Sequence, residues 1–307
     1  MIEVAILGSG QLARGVARQL ALRADVRVAG PTPRSRIPEA AASGAHVVVV
    51  ATTTRLADVA DDIEAAVRAG SNVIVSAEEC AYPWAVDSPL ADRLHSLALE
   101  RGVTVLGCGL NPGFVFDALV LTLLGAVESP AAIAVERTVD VSGFGPAVRA
   151  RLGLGVSAAD FAAGIGSASI LGHAGFPQSM SIVAAALGVD IDHIATSIEP
   201  LTDAGLTVGF VQEYTAVVAG ENWFRARFVG HLTPASAGLV VRDTIAVSSS
   251  SGAPLTCTID PGIGSQSGSQ SLIANSVDRV IAAPPGWLTV ADLEPAHPRL
   301  RLHPPTR

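Results

Sequence analysis

Along the first third of the chain, short and almost wholly apolar runs alternate with longer segments of helical periodicity. Residues 4–7, 26–29, 46–51 (HVVVVA), 72–76 and 104–106 read as strands. Helical stretches fall at 11–22, 56–69 and 88–101, the last opened by Ser88 as N-cap and Pro89 at the first helical position. Strands that are apolar throughout are covered on both faces, and their alternation with helices predicts an α/β fold with a doubly wound parallel sheet. Ligands of such sheets lie beyond the carboxyl ends of the strands. The turns of interest are therefore Thr52-Thr53-Thr54, Ala77-Glu78-Glu79 and Gly107-Cys108-Gly109.

The pattern changes after Asn111-Pro112-Gly113. An apolar helix over 114–124 leads into segments of period two, with a hairpin of 206–219 and 223–231 around Gly220-Glu221-Asn222. Further helices are predicted over 157–166 and 177–187. The glycine- and serine-rich run 261–269 introduces a last helix, 270–283, which should return to the first domain, and the chain from Pro284 reads as a loosely held tail. The expected organisation is a Rossmann domain over 1–112, an α+β substrate and oligomerisation domain over 113–268, and a C-terminal helix and tail over 269–307.

The turn after the first strand carries chemistry. Gly8-Ser9-Gly10-Gln11-Leu12-Ala13 has the G-x-G-x-x-A spacing of a dinucleotide fingerprint. Gly8 permits the tight turn, Gly10 lets backbone approach a pyrophosphate, and Ala13 allows close helix packing. The helix opening at Gln11 and Leu12 offers N–H groups and partial positive charge. Glycine-rich turns also occur without a ligand, but this one follows a strand, opens a helix and precedes a second strand.

Where an NAD site usually places an acid, the second strand is followed by Gly30-Pro31-Thr32-Pro33-Arg34-Ser35-Arg36, and the first acid is Glu39. Two guanidiniums and the hydroxyls of Thr32 and Ser35 suit a 2′-phosphate. The expected cofactor is NADP, with NAD possible. The competing reading is a solvated loop with two surface arginines.

Composition narrows the field. The chain has 307 residues, 49% of them hydrophobic and 16% charged, enough for two packed domains. A net charge of −8 argues against nucleic acid as a partner. The longest mainly apolar stretch, 114–127, is broken by Asp117 and Thr122, short of the ~20 residues of a membrane span. With no basic leader before the first strand, a cytoplasmic protein is expected. The three cysteines lack metal-ligand spacing, which points to reduced thiols and no metal. There is no lysine; all 20 of the Lys+Arg count are arginine. An enzyme-bound Schiff base, a Tyr-x-x-x-Lys pair and a lysine acid of the dihydrodipicolinate reductase type are all excluded.

Proton transfer therefore falls to other groups. Glu78 and Glu79 follow a strand on the edge where a nicotinamide would lie, and either can take a proton from an amine and stabilise an iminium. One of the two is expected merely to cap or solvate the turn, since neighbouring side chains diverge. Asp117, the lone acid on an apolar helix, reads as structural, and Tyr82 and Trp84 as loop packing.

Ser76-Ala77-Glu78-Glu79 with Tyr82-Pro83-Trp84, and Gly107-Cys108-Gly109-Leu110-Asn111-Pro112-Gly113-Phe114 with Asp117, resemble the 2,4-diaminopentanoate dehydrogenases and related native amine dehydrogenases. Gly172-His173-Ala174-Gly175, Gln178-Ser179, Glu199-Pro200, Pro261-Gly262-Ile263-Gly264, Asn275 and Pro285-Gly286 agree with that resemblance. It implies a dihydrodipicolinate-reductase-like fold and NAD(P)-dependent interconversion of a small amine with its ketone plus ammonia; a homodimer is expected. It also implies a catalytic glutamate within the pair, Glu78 being favoured as nearer the strand end. Asn111, Phe114 and His173 are candidate substrate contacts. Residues 247–259 and 265–271 depart from the family's expected pattern. The alternatives are reduction of a preformed or cyclic imine, and a non-catalytic NADP-binding sensor.

Overall fold

The computed structural model describes residues 1–250 and 252–298. The chain forms two compact units, Met1–Leu110 with Gln266–Arg307, and Asn111–Ser265.

The first unit alternates β1 (Ile2–Leu7), α1 (Gln11–Ala21), β2 (Val26–Thr32), α2 (Ile37–Ala41), β3 (Val47–Val50), α3 (Leu56–Arg68), β4 (Asn72–Val75), α4 (Ser88–Arg101) and β5 (Thr104–Gly107). Every strand pairing is parallel. The four valines of β3 are fully buried, as strands covered on both faces must be. α3 buries Leu56, Val59, Ala60, Ile63, Ala66 and Val67, one stripe at helical spacing.

Two local expectations are corrected. β2 runs to Thr32 instead of stopping at Ala29, because pairing with β1 resumes past an irregularity as Leu7 opposite Thr32. The cap of α4 is Asp87, whose Oδ1 accepts from Leu90 N–H at 3.0 Å, and not Ser88.

The second unit contains α5 (Ala118–Leu124), β6 (Pro130–Asp140), α6 (Pro146–Arg151), α7 (Ala158–Gly166), α8 (Phe176–Leu187) and β7 (His193–Asp203). β8 (Leu206–Val218), β9 (Glu221–His231), β10 (Arg242–Ser249) and β11 (Leu255–Ile259) follow. Its six-stranded sheet has the order β11-β10-β6-β9-β8-β7 and is antiparallel except where β6 meets β9. The hairpin foreseen in this region is β8–β9. The helix expected from residue 114 begins at Ala118, since Asp117 is its N-cap and the preceding residues turn. Residues 247–259 form the outer β10–β11 hairpin, with Ser251 outside the described residues.

The chain then adds α9 (Ser265–Asn275), α10 (Val277–Ala282) and β12 (Gly286–Leu288). The last helix thus starts earlier than residue 270 and breaks at Ser276. The expectation of a loose tail from Pro284 is overturned: β12 pairs parallel with β5 and Trp287 is 2% exposed. Residues 299–307 of that segment lie outside the described residues. The completed parallel sheet has the order β12-β5-β4-β3-β1-β2. Its strand order reverses between β1 and β3, which makes that edge the ligand-binding crevice of a doubly wound sheet. Among the described residues no helix is long and apolar enough to cross a membrane.

Candidate functional site

The turn after β1 is built around Gly8, at φ +105°, whose N–H donates to the Thr32 carbonyl at 3.0 Å. A Cβ there would stand 2.3 Å from the Ala51 carbonyl oxygen, so only glycine lets this turn close against the ends of β2 and β3. Gly10 is the N-cap of α1, and open space surrounds the position its Cβ would take. Gln11 is exposed, Leu12 half-buried, and α1 has no acid in its first turn. Arg14 folds its guanidinium back onto the Ser9 carbonyl. The result is an exposed helix N-terminus with unopposed N–H groups, the environment an anion requires.

Arg34, Ser35 and Arg36 form one exposed 3₁₀ turn after β2. Thr32 differs from them: it is 5% exposed, and its contribution is the carbonyl that holds Gly8. The charge of Arg34 also reaches Asp62 of α3, a carboxyl pushed upward by burial and then by Asp61. After β3, Thr52 is exposed, and half-buried Thr53 points its hydroxyl to Asp58 Oδ2 at 3.4 Å.

The two glutamates occupy a 3₁₀ turn, Glu78–Ala81, beyond β4. Glu79 Oε2 accepts from Leu56 N–H at 2.8 Å, capping α3, and its own N–H donates to the Thr54 carbonyl at 3.3 Å. Glu78 beside it is also half-buried. Burial, and then the charges of Glu79 and Glu78, push the neighbouring Cys80 thiol well up, so Cys80 is inert packing.

Residues unread in the sequence hold this turn in place. Trp287 Nε1 donates to the Cys80 carbonyl at 3.1 Å, and a Cβ on Gly107 would fall 2.0 Å from that same oxygen. The period-two run Gly286-Trp287-Leu288, close after two prolines, was the available sign of a strand there. Tyr82 and Trp84 pack on each other at 5.4 Å between ring centroids, as loop-packing residues would.

In the second unit, Asp117 is fully buried and collects three donors. They are Gly113 N–H at 2.8 Å, Ala118 N–H at 2.7 Å and the Ser179 hydroxyl at 2.7 Å. Burial raises its pKa against the pull of those bonds. It fixes the Asn-Pro-Gly-Phe segment, on which Phe114 is half-buried. Both polar atoms of the Asn111 side chain are buried without a hydrogen-bond partner among the described residues. A buried amide left unpaired is costly.

His173 donates its backbone N–H to Gln212 Oε1 at 2.8 Å, and its Nδ1 lies 2.6 Å from the Ala174 carbonyl. Its ring packs on Phe228 and Phe176 at 4.8 and 5.4 Å. Burial pushes its pKa down to about 4, and the charges of Arg151 and Arg137 add to that effect. His173 is thus a neutral imidazole, with Nδ1–H donating to Ala174 and Nε2 left as an acceptor. Gln212, which the sequence did not single out, links His173 to the Tyr214 hydroxyl at 3.1 Å. Also unforeseen is the pair Arg137–Asp243, each side chain 1% exposed and 2.5 Å apart. It holds the Ile263 backbone from both sides: Arg137 donates to its carbonyl and Asp243 accepts its N–H. Among the described residues no group of three or more His, Cys, Asp or Glu could hold a metal ion.

Comparison with known proteins agrees with this architecture. The family model of the 2,4-diaminopentanoate dehydrogenase C-terminal domain matches residues 114–300. A 2,4-diaminopentanoate dehydrogenase from Acetoanaerobium sticklandii is 29% identical, over 95% of this chain and 93% of its own length. The structure of an amine dehydrogenase from Mycobacterium smegmatis superposes with a TM-score of 0.81, covering 97% of each chain at 19% identity, which shows a shared fold.

Proposed function

The chain belongs to the 2,4-diaminopentanoate dehydrogenase family, and from that premise we propose that it interconverts a small amine with its ketone plus ammonia. It is an NAD(P)-dependent oxidoreductase acting on amine groups, as membership of that family implies. When bound, the nicotinamide supplies the hydride donor or acceptor.

The residues present fit such a dinucleotide. The positive-φ Gly8 turn and the acid-free start of α1 suit its pyrophosphate. The exposed Arg34-Ser35-Arg36 turn suits a 2′-phosphate, so NADP is the preferred cofactor. Thr52 and Thr53 stand at the end of β3, the next strand along that edge.

The observation that carries the chemistry is the division of labour at the β4 turn. Glu79 is engaged as the cap of α3, and this reading gives the acid–base role to Glu78, the nearer of the two to the end of β4. Glu78 accepts a proton from the reacting amine or the attacking water. Its negative charge favours the iminium, the cation that forms as the carbon changes oxidation state. Asn111, with its unpaired amide, is a substrate contact of the second unit, together with Phe114 and the neutral acceptor His173.

Free ammonia is the second substrate of reductive amination. The protein is a homodimer paired through the outer face of its mixed sheet. There the cross-strand ladder Glu136–Arg227–Glu213–Arg225 offers alternating charge to a copy of itself. Three free cysteines and a dinucleotide cofactor accord with a cytoplasmic setting.

The test is NADPH oxidation with a panel of small ketones, with and without ammonium. Strict dependence on ammonium is expected. Turnover of cyclic imines with none of the ketones would replace amination by imine reduction.

A further inference from the structure

The turn that carries the two glutamates is held by a strand distant in the chain. β12 is tied to the start of β5 by the Gly286 N–H, which donates to the Val103 carbonyl at 2.9 Å, and by the Thr104 hydroxyl, which donates to the Pro284 carbonyl at 2.8 Å. Just past its end, Thr289 and Asp292 form a reciprocal cap, the Thr289 N–H lying 2.7 Å from Asp292 Oδ2. Trp287 stands between these ties. Its backbone N–H donates to Nδ1 of half-buried His95, on α4, at 3.0 Å. A backbone N–H can only donate, so Nδ1 of His95 is an acceptor there. Gly286 leaves room for that ring, since a Cβ would stand 2.9 Å from His95 Cε1.

The indole N–H of Trp287 then reaches the Cys80 carbonyl at 3.1 Å. Within the turn, the Cys80 N–H donates to the Ala77 carbonyl at 3.0 Å, which closes the backbone around Glu78 and Glu79. Upstream, the Ser76 N–H on the Val50 carbonyl at 2.9 Å continues the pairing of β4 with β3. Glu78 and Glu79 therefore span the gap between an anchored strand end and the Cys80 carbonyl. A 3₁₀ turn has poorer hydrogen-bond geometry than an α-helix and little rigidity of its own, so its conformation depends on what holds its ends. Cys80 and Trp287 belong to one buried apolar cluster. Loss of the indole N–H would leave the carbonyl there without water to replace it.

We propose that Trp287 is a positioning residue for the reaction. By holding the Cys80 carbonyl it fixes the backbone that carries Glu78, and so sets where that carboxylate stands at the strand-end edge. His95 supports it by holding the Trp287 backbone. A reacting group displaced by about 1 Å can lose about a hundredfold in rate, so a clamp outside the substrate's reach still governs turnover. The inference rests on the reading of Glu78 as the acid–base residue.

The test is Trp287→Phe, which keeps an aromatic ring and removes the N–H. It is followed by steady-state kinetics, NADPH titration and mass-spectrometric rates of iodoacetamide labelling at each cysteine. Turnover should fall about tenfold to a hundredfold with NADPH affinity unchanged. Cys80, fully buried in the turn, should label about threefold to tenfold faster, while buried Cys108 keeps its rate. In a Glu78→Gln background the same change should cost little more, because the base it positions is gone. His95→Ala should repeat the effect more weakly, and His95→Asn, which restores an acceptor, should recover it. Losses from Trp287→Phe and Glu78→Gln that simply multiply overturn the proposal, as does a wild-type Cys80 rate. Equal acceleration of Cys80 and Cys108, the mark of general loosening, overturns it too. A wild-type chain that turns over no ketone sinks the amine reading, and Cys80 labelling then decides by itself whether Trp287 holds the turn.

Discussion

The parallel sheet of the first unit and the mixed sheet of the second bury different things. The first is aliphatic through its depth: β3 is four buried valines, and the groups able to do chemistry stand on turns at the strand ends. The second buries polarity: the Arg137–Asp243 pair and Gln212 lie within the unit, and Asp117 is held by Ser179 of α8. Apart from Glu79, which caps α3, a substitution at a turn of the first unit should therefore change chemistry or affinity and leave folding alone. A substitution at a buried polar group of the second should appear first as lost stability.

Glu78 gives the largest test. Glu78→Gln keeps shape but removes the base and its charge, so turnover should fall about 10²–10⁴-fold while NADPH affinity and melting temperature hold. Glu79→Gln should do the reverse, costing about 1 kcal/mol of stability through the α3 cap with mild loss of turnover. If steady-state kinetics show Glu79→Gln to be the crippling change, the acid assignment moves within the pair.

Next come the buried ions. Arg137→Leu leaves Asp243 charged and alone, and denaturant unfolding should show a loss of about 3–5 kcal/mol. Replacing both partners with apolar residues should recover part of that. A single variant as stable as wild type would erase the contrast between the sheets.

His173 sharpens the contrast through pH. Its folded pKa of about 4 lies below that of an unfolded histidine, so the unfolded chain binds the proton first as pH falls. Stability should decline between about pH 6.5 and about 4, by about 3 kcal/mol at the most. Melting curves across that window should fall less steeply for His173→Gln, and identical slopes would show that the ring is not held neutral.

The smallest effect is on cofactor choice. Arg34→Ala with Arg36→Ala should weaken NADPH about ten- to a hundredfold and NADH little. Equal losses for both cofactors would remove the specificity argument, and no loss of either would mean that the turn is a solvated loop.

Much of the first unit was legible because its signals are local. The Gly8 turn, the apolar strands and the placement of Glu78 and Glu79 beyond β4 follow from residues adjacent in sequence. The long-range pieces escaped. Trp287 looked like part of a tail because its partners, Cys80 and β5, are far away in the chain. In the second unit β6, β7, β10 and β11 lacked a clear alternating pattern, with small and polar residues on the outward face and Arg137 and Asp243 on the buried one.

The sequence by itself determined a doubly wound dinucleotide fold, the absence of any lysine chemistry and a short list of acids. Apolar periodicity, glycine spacing and residue identity are properties of neighbouring positions. Only the tertiary structure decided that Glu79 caps α3, that β12 closes the edge of the parallel sheet and that Trp287 holds the Cys80 carbonyl. Each of those joins residues distant in sequence, and which buried polar groups find partners is settled only when the whole chain has packed.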